Sequence, residues 1–177
     1  LMDEPLSSLD AKLRESLRIE LKNIQTNLNA TILYVTHDQA EATTLADKIG
    51  VLKEGKIVQI GTPEEIYENP NSIYVSQRLG SPKINVLPGS LFNINDNIPT
   101  FGIRPENILL GVGKYSGKTI SIENLGSETV VAINFEGHEV LSSIQGIYKS
   151  SINETINFDI NLNKVLKFDK KGNRINE

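Results

Sequence analysis

The sequence of 177 residues has no cysteine, no tryptophan and one methionine. Without cysteine there is no disulfide framework and no thiolate metal site, a composition that fits a reducing compartment. Aromatic residues make up only 6%. No apolar run is long enough to cross a membrane as a helix, and no leader peptide is legible at the start. Basic residues are not in excess: the formal charge is −4. Residues 1–82 carry 8 basic and 12 acidic side chains, and residues 83–177 carry 10 of each. A protein whose main partner is nucleic acid needs a basic face, so this balance argues against one. An oligonucleotide-binding barrel would also need aromatic platforms, which the composition does not supply.

What is there begins at residue 1. Leu1-Met2 reads as the end of a buried strand, followed by the adjacent carboxylates Asp3 and Glu4 and then Pro5, which cannot continue a ladder. In an α/β sheet, chemistry collects at the carboxyl ends of strands. An acidic pair there suits a nucleotide site: one carboxylate for Mg²⁺ through its water shell, its neighbour to orient or deprotonate a water. Ser7-Ser8-Leu9-Asp10 comes next, with Asp10 able to cap a helix over 11–28. Leu13, Leu17, Leu21, Ile24 and Leu28 form one stripe at helical spacing. Thr31-Ile32-Leu33-Tyr34-Val35 has the unbroken apolar pattern of a strand buried on both faces. It runs into Thr36-His37-Asp38, and the spacing of Asp38 and Glu41 predicts a capping box at the next helix. His37 thus stands at a strand-to-helix turn.

The remainder of the first half is a predicted hairpin, 48–53 and 56–60 around Glu54-Gly55, then a helix from Thr62-Pro63-Glu64-Glu65 and a short helix over 71–79. Gly80-Ser81-Pro82-Lys83-Ile84-Asn85 is turn-rich and marks a domain boundary at 82/83. Beyond it the pattern changes to short alternating strands over 86–94, 118–125, 128–136, 139–145 and 155–168, which suggests a small barrel. His138 falls in a predicted hairpin turn. The stretch Gly111-Val112-Gly113-Lys114-Tyr115-Ser116-Gly117-Lys118-Thr119 has the look of a phosphate loop, but Val112 stands where the pattern needs glycine and a strand pattern comes where a helix should open. It is expected to be an ordinary glycine-rich turn.

Asp3-Glu4, Ser8-Leu9-Asp10 and Thr36-His37-Asp38 in this order resemble three motifs of ABC transporter ATPases: the end of the Walker B strand, the D-loop and the switch histidine. Gly80 to Asn85, Gly102-Ile103-Arg104-Pro105-Glu106 and Gly126-Ser127-Glu128-Thr129 resemble the C-terminal regulatory domain of the carbohydrate-uptake ATPases, the maltose-transporter type. The resemblance implies an α/β fold of the P-loop NTPase type over 1–82, as the later part of an ATPase domain, and an all-β OB-like barrel over 83–177. It implies ATP and Mg²⁺ as cofactors, with Asp3 at the metal, Glu4 as general base and His37 at the γ-phosphate. Ser8 and Asp10 would work at the nucleotide across a dimer interface. Implied partners are a second ATPase subunit, two transmembrane permease subunits and, indirectly, an extracytoplasmic binding protein, at the inner face of the cell membrane. The phosphate loop and signature helix of that family are missing from the sequence, so the chain is expected to be a fragment that is inactive alone, and either an oligomer or disordered near residue 1. Two other readings stay open: an importer of polyamines, iron or another anion, and a non-catalytic regulatory or dimerisation module.

Overall fold

A computed structural model of the chain describes residues 1–92 and 98–175. It is a mixed α/β structure, richer in strands than in helices, that divides into two compact units, Leu1–Asn69 and Pro70–Glu177. Residues 70–82 are tied to the strands downstream, Arg104 donating to the carbonyls of Ser76 and Leu79. Among the described residues no helix is long and apolar enough to cross a membrane.

The first unit opens with a parallel pair. Strand β1 (Met2–Asp3) lies beside β2 (Tyr34–Val35), with Met2 opposite Tyr34 and Asp3 opposite Val35. Helix α1 (Ala11–Leu28) makes the crossover that a parallel pair requires. Asp10 caps it, its carboxylate accepting the Leu13 amide at 3.0 Å. Asn29 ends it in the left-handed conformation (φ 47°), with the amides of Asn29 and Ala30 donating to the carbonyls of Thr26 and Gln25. The stripe on α1 is helical as the spacing predicts, but Leu17 and Leu21 are only half-buried and Leu13, Ile24 and Leu28 are exposed. Helix α2 (Gln39–Leu45) comes after β2. The hairpin of β3 (Ile49–Lys53) and β4 (Lys56–Gly61) turns at Glu54-Gly55, both with positive φ (49° and 75°), as the turn chemistry dictates. Helix α3 (Pro63–Glu68) has the full capping box: Thr62 accepts the Glu65 amide and Glu65 accepts the Thr62 amide.

The second unit begins with the single-turn helix α4 (Ile73–Ser76), shorter than the sequence pattern suggests. Its strands form two antiparallel sheets. One holds β5 (Asn85–Pro88), β6 (Thr100–Ile103) and β11 (Leu166–Phe168) in the order β11-β6-β5. The other holds β7 (Ile108–Asn124), β8 (Glu128–Phe135), β9 (His138–Gln145) and β10 (Thr155–Ile160) in the order β10-β7-β8-β9. Among the described residues no strand pairing joins the two sheets into a closed barrel. Aromatic side chains from both sheets fill the core. Phe135 meets Phe158 edge-on at 5.1 Å between ring centres and stacks with Phe92 at 5.8 Å, while Phe101 comes from the smaller sheet. One amide side chain stitches the sheets. Asn85, buried on β5, donates to the carbonyls of Ile103 (3.0 Å) and Leu141 (2.8 Å) and accepts the Leu141 amide (2.7 Å).

Several strand boundaries differ from expectation, each for a local reason. The strand expected over 86–94 stops at Pro88, where a 3-10 turn over Gly89–Phe92 begins, and its last two positions lie outside the described residues. The stretch over 155–168 breaks at a 3-10 turn, Leu162–Lys164, so its two parts serve different sheets. His138 is the first residue of β9, opposite Phe135, and the turn itself is Glu136-Gly137. The glycine-rich stretch Gly111–Thr119 is not a turn but the middle of β7. Its pairing with β10 steps from Ser116–Asn157 to Leu110–Phe158, so residues 111–115 bulge between the two. Gly113 has φ 105°, and a Cβ there would lie 2.6 Å from the Phe158 carbonyl oxygen. A Cβ on Gly117 would lie 2.4 Å from an Ile133 methyl. These glycines permit close approach within a strand rather than a reversal.

Candidate functional site

Parallel pairing brings the ends of β1 and β2 to the same place, and with them the residues just beyond. The Glu4 amide donates to the Val35 carbonyl at 2.9 Å, extending the ladder by one bond. Glu4 then takes a left-handed conformation (φ 43°), which turns the chain out of the strand. A non-glycine residue in that region is uncommon and is concentrated at functional turns. The turn is held by its own carbonyl, which accepts the Ser7 amide (3.2 Å) and hydroxyl (2.9 Å). Leu6 is buried beneath it.

The outcome is that His37 Nδ1 and Glu4 Oε1 lie 3.0 Å apart although they are far separated in sequence. Both side chains reach solvent. The hydrogen bond to the Glu4 carboxylate, and then its charge, raise the imidazole pKa above 6.5. The carboxylate therefore favours a proton on the ring. Asp3 ends β1 beside Val35 and is exposed, as is Ser8 in the following loop. Of the residues expected to share a site, the structure joins Glu4 to His37 directly and leaves Asp3 one residue from that contact. Asp10 caps α1, its carboxylate engaged by the Leu13 amide.

The His37 turn is anchored by groups that the sequence motifs do not include. Asp38 Oδ1 accepts the amides of Ala40 (2.7 Å) and Glu41 (3.1 Å), capping α2. The Asp38 amide, which a full capping box would give to Glu41, donates to the Thr36 hydroxyl instead, at 3.0 Å. Glu41 is buried, 2% exposed, and accepts the Thr36 hydroxyl at 2.6 Å and the Tyr34 hydroxyl at 3.0 Å. Burial, then the bond to Glu41, push the Tyr34 phenol up to about 12. On the other side, Asp38 Oδ2 receives Arg14 Nη1 at 3.3 Å, and Arg14 Nη2 donates to the Leu9 carbonyl at 2.9 Å. Burial raises the Asp38 pKa, but the two amides and the guanidinium outweigh it and hold the carboxyl below its usual range. Spacing could have hinted at Arg14, one helical turn after Asp10. Nothing local could have paired it with Asp38.

A carboxylate beside a protonatable imidazole can accept a proton from water and fix its orientation. Among the described residues no group of three or more potential ligands could hold a metal by itself. Asp3 alone fits Mg²⁺ only in the manner usual for that ion, with one or two carboxylates and the rest water and phosphate oxygen. Among the described residues no segment offers the glycine-loop-to-helix cradle that triphosphate binding uses, since 111–119 is strand. The residues present fit one wall of a magnesium–nucleotide site.

Comparison with known proteins gives the class. No family model matches the chain. Over nearly all of its length, however, the chain is a homologue of ABC transporter ATP-binding proteins. An "uncharacterized ABC transporter ATP-binding protein y4oS" of Sinorhizobium fredii is 40% identical over 167 aligned positions, covering 82% of this chain and 45% of its own length. The sn-glycerol-3-phosphate import ATP-binding protein UgpC of Bartonella bacilliformis is 40% identical over 188 positions, 98% of this chain and 54% of its own. The protein of the same name in Brucella abortus is 36% identical over 195 positions, 100% of this chain and 56% of its own. The chain spans about half the length of the curated relatives it matches.

Proposed function

We propose that the chain is part of the ATP-hydrolysing subunit of an ABC importer, with a small sugar or polyol phosphate as the transported molecule. The observation that carries this reading is the 3.0 Å contact between Glu4 and His37 at the ends of two parallel strands. The relatives named for sn-glycerol-3-phosphate import support this substrate class. Residues 1–82 are the catalytic-side portion in this reading and 83–177 an OB-like regulatory domain. ATP and Mg²⁺ are the cofactors. A second ATPase subunit, two permease subunits and an extracytoplasmic binding protein are the partners, and the protein works peripherally at the inner membrane face.

Bound Mg²⁺ would neutralise phosphate charge in such a site. The chain's own residues divide the remaining work. Asp3 offers one exposed carboxylate to the metal's water shell. Glu4 accepts the proton of the attacking water on its carboxylate. His37, bonded to Glu4, holds that carboxylate in place and presents the ring to the terminal phosphate. Ser8 and Asp10 lie in a loop whose backbone is fixed by the α1 cap, available to a partner subunit's nucleotide. Positioning and charge neutralisation are what phosphoryl transfer demands.

The experiment is steady-state ATP turnover by a complete subunit carrying this segment, compared with Glu4→Gln and His37→Ala. Each variant is expected to lose about a hundredfold or more in kcat, the scale of a lost acid–base group. Turnover unchanged in Glu4→Gln would overturn the reading. The 177-residue chain alone is expected to give no MgATP heat in calorimetry. Micromolar binding by the isolated chain would instead favour a self-contained site of another kind.

A further inference from the structure

Arg14 touches both loops of the candidate site. From the first turn of α1 its guanidinium reaches back to the carbonyl of Leu9, inside the loop that carries Ser8 and Asp10. It also reaches across to the carboxylate of Asp38, next in sequence to His37. The two side chains of this ion pair are 29% and 25% exposed, so solvent screens the pair only in part. Asp38 divides its oxygens between two tasks, with Oδ1 on the α2 amides and Oδ2 on Arg14. The planar fork of arginine suits this, because two nitrogens can address two acceptors in different segments at once. On the far side, the Glu41 carboxylate pins Thr36 and Tyr34. The His37 turn is thereby fixed to its own helix on one flank and to the Ser8–Asp10 loop on the other.

We infer that Arg14 is a positioning residue that couples the Ser8–Asp10 loop to the His37 turn, so that whatever engages the loop also moves the imidazole. This rests on the proposed ATPase reading and adds a regulatory route to it: occupancy of the loop by a second subunit is felt at His37. Arg14 acts through Leu9 and Asp38, neither of which is assigned to substrate or metal.

Two measurements test it separately from the parent reading. In the chain itself, amide hydrogen exchange is followed at Ala40 and Glu41, the α2 amides that Asp38 caps. Asp10→Ala, which loosens the loop at the α1 cap, is expected to speed their exchange about fivefold, the usual worth of a lost cap. In an Arg14→Gln background the same change is expected to have no further effect. Additive effects would overturn the coupling. If Arg14→Gln does not fold, Asp38→Asn serves in its place, since asparagine still caps a helix but gives up the charge. In a complete subunit, Arg14→Gln is expected to lower kcat roughly ten- to a hundredfold at unchanged KM for ATP, the cost of a misplaced catalytic group. Arg14→Lys is not expected to restore it, because an ammonium offers no planar fork; full recovery by lysine would reduce the role to simple charge and overturn the inference. No turnover by the wild-type subunit, with exchange coupling intact, would instead sink the ATPase reading and leave the coupling standing.

Discussion

His37 and Glu4 face each other at 3.0 Å because two short parallel strands end side by side. The contact gives a direct pH prediction. His37 has a folded pKa above its ordinary value, chiefly through the bond to Glu4. A raised folded pKa contributes stability below the unfolded value near 6.5, and that contribution is lost as pH rises through the folded pKa. An NMR titration of the ring is expected to give a midpoint above 6.5, with Glu4→Gln bringing it down. An unmoved midpoint in Glu4→Gln would mean that the contact is not formed in solution.

Tyr34 gives a second titration at the opposite end of the scale. Its phenol is pushed up to about 12 by burial and by the bond to Glu41. Here the folded state keeps the proton, so the stabilising contribution is whole below about pH 10 and fades as pH rises toward the folded value. Alkaline difference absorbance is expected to show a late-titrating tyrosine that is lost in Tyr34→Phe. Glu41→Gln moves it earlier, since burial stays but the carboxylate's help is removed.

Asn85 predicts a thermodynamic asymmetry. Asn85→Ala leaves the Leu141 amide and two carbonyls without their partner, at about 2–4 kcal/mol for buried polar groups. Asn85→Asp is expected to be worse, because a carboxylate would face the carbonyls of Ile103 and Leu141 where the amide now donates. Chemical denaturation of the two variants checks the order.

Gly117 gives a packing prediction. A methyl group there would stand 2.4 Å from an Ile133 methyl and 2.7 Å from the Asn134 carbonyl oxygen. Gly117→Ala is expected to cost about 1–3 kcal/mol through overpacking. Adding Ile133→Val is expected to recover part of it, read as a partial return of the unfolding midpoint.

How much of this could be read beforehand depends on whether the cause is local. The caps at Asp10 and Thr62, the Glu54-Gly55 turn and the strand-to-helix turn at His37 are set by a few adjacent residues, and each is legible. The proximity of Glu4 and His37 comes from two strand ends and a crossover helix, which the pattern also contains. The bulged β7 is different. Its glycines look like turn formers, and only contact with Phe158 and Ile133 explains them. Arg14 and Glu41 belong to the same class: their partners are not set by spacing, and Glu41 has a capping-box position without the capping-box bond. The stripe on α1 announces a helix correctly but not how much of it is covered.

The amide of Asn85 also guards a boundary. Leu141 lies on β9, which ends its sheet, and an outermost strand with free backbone donors and acceptors invites another chain to add itself. Because a side chain from the same molecule already occupies both groups of Leu141, that rim is a poor template for strand addition. Losing the asparagine would therefore open a route to aggregation as well as lower the melting point.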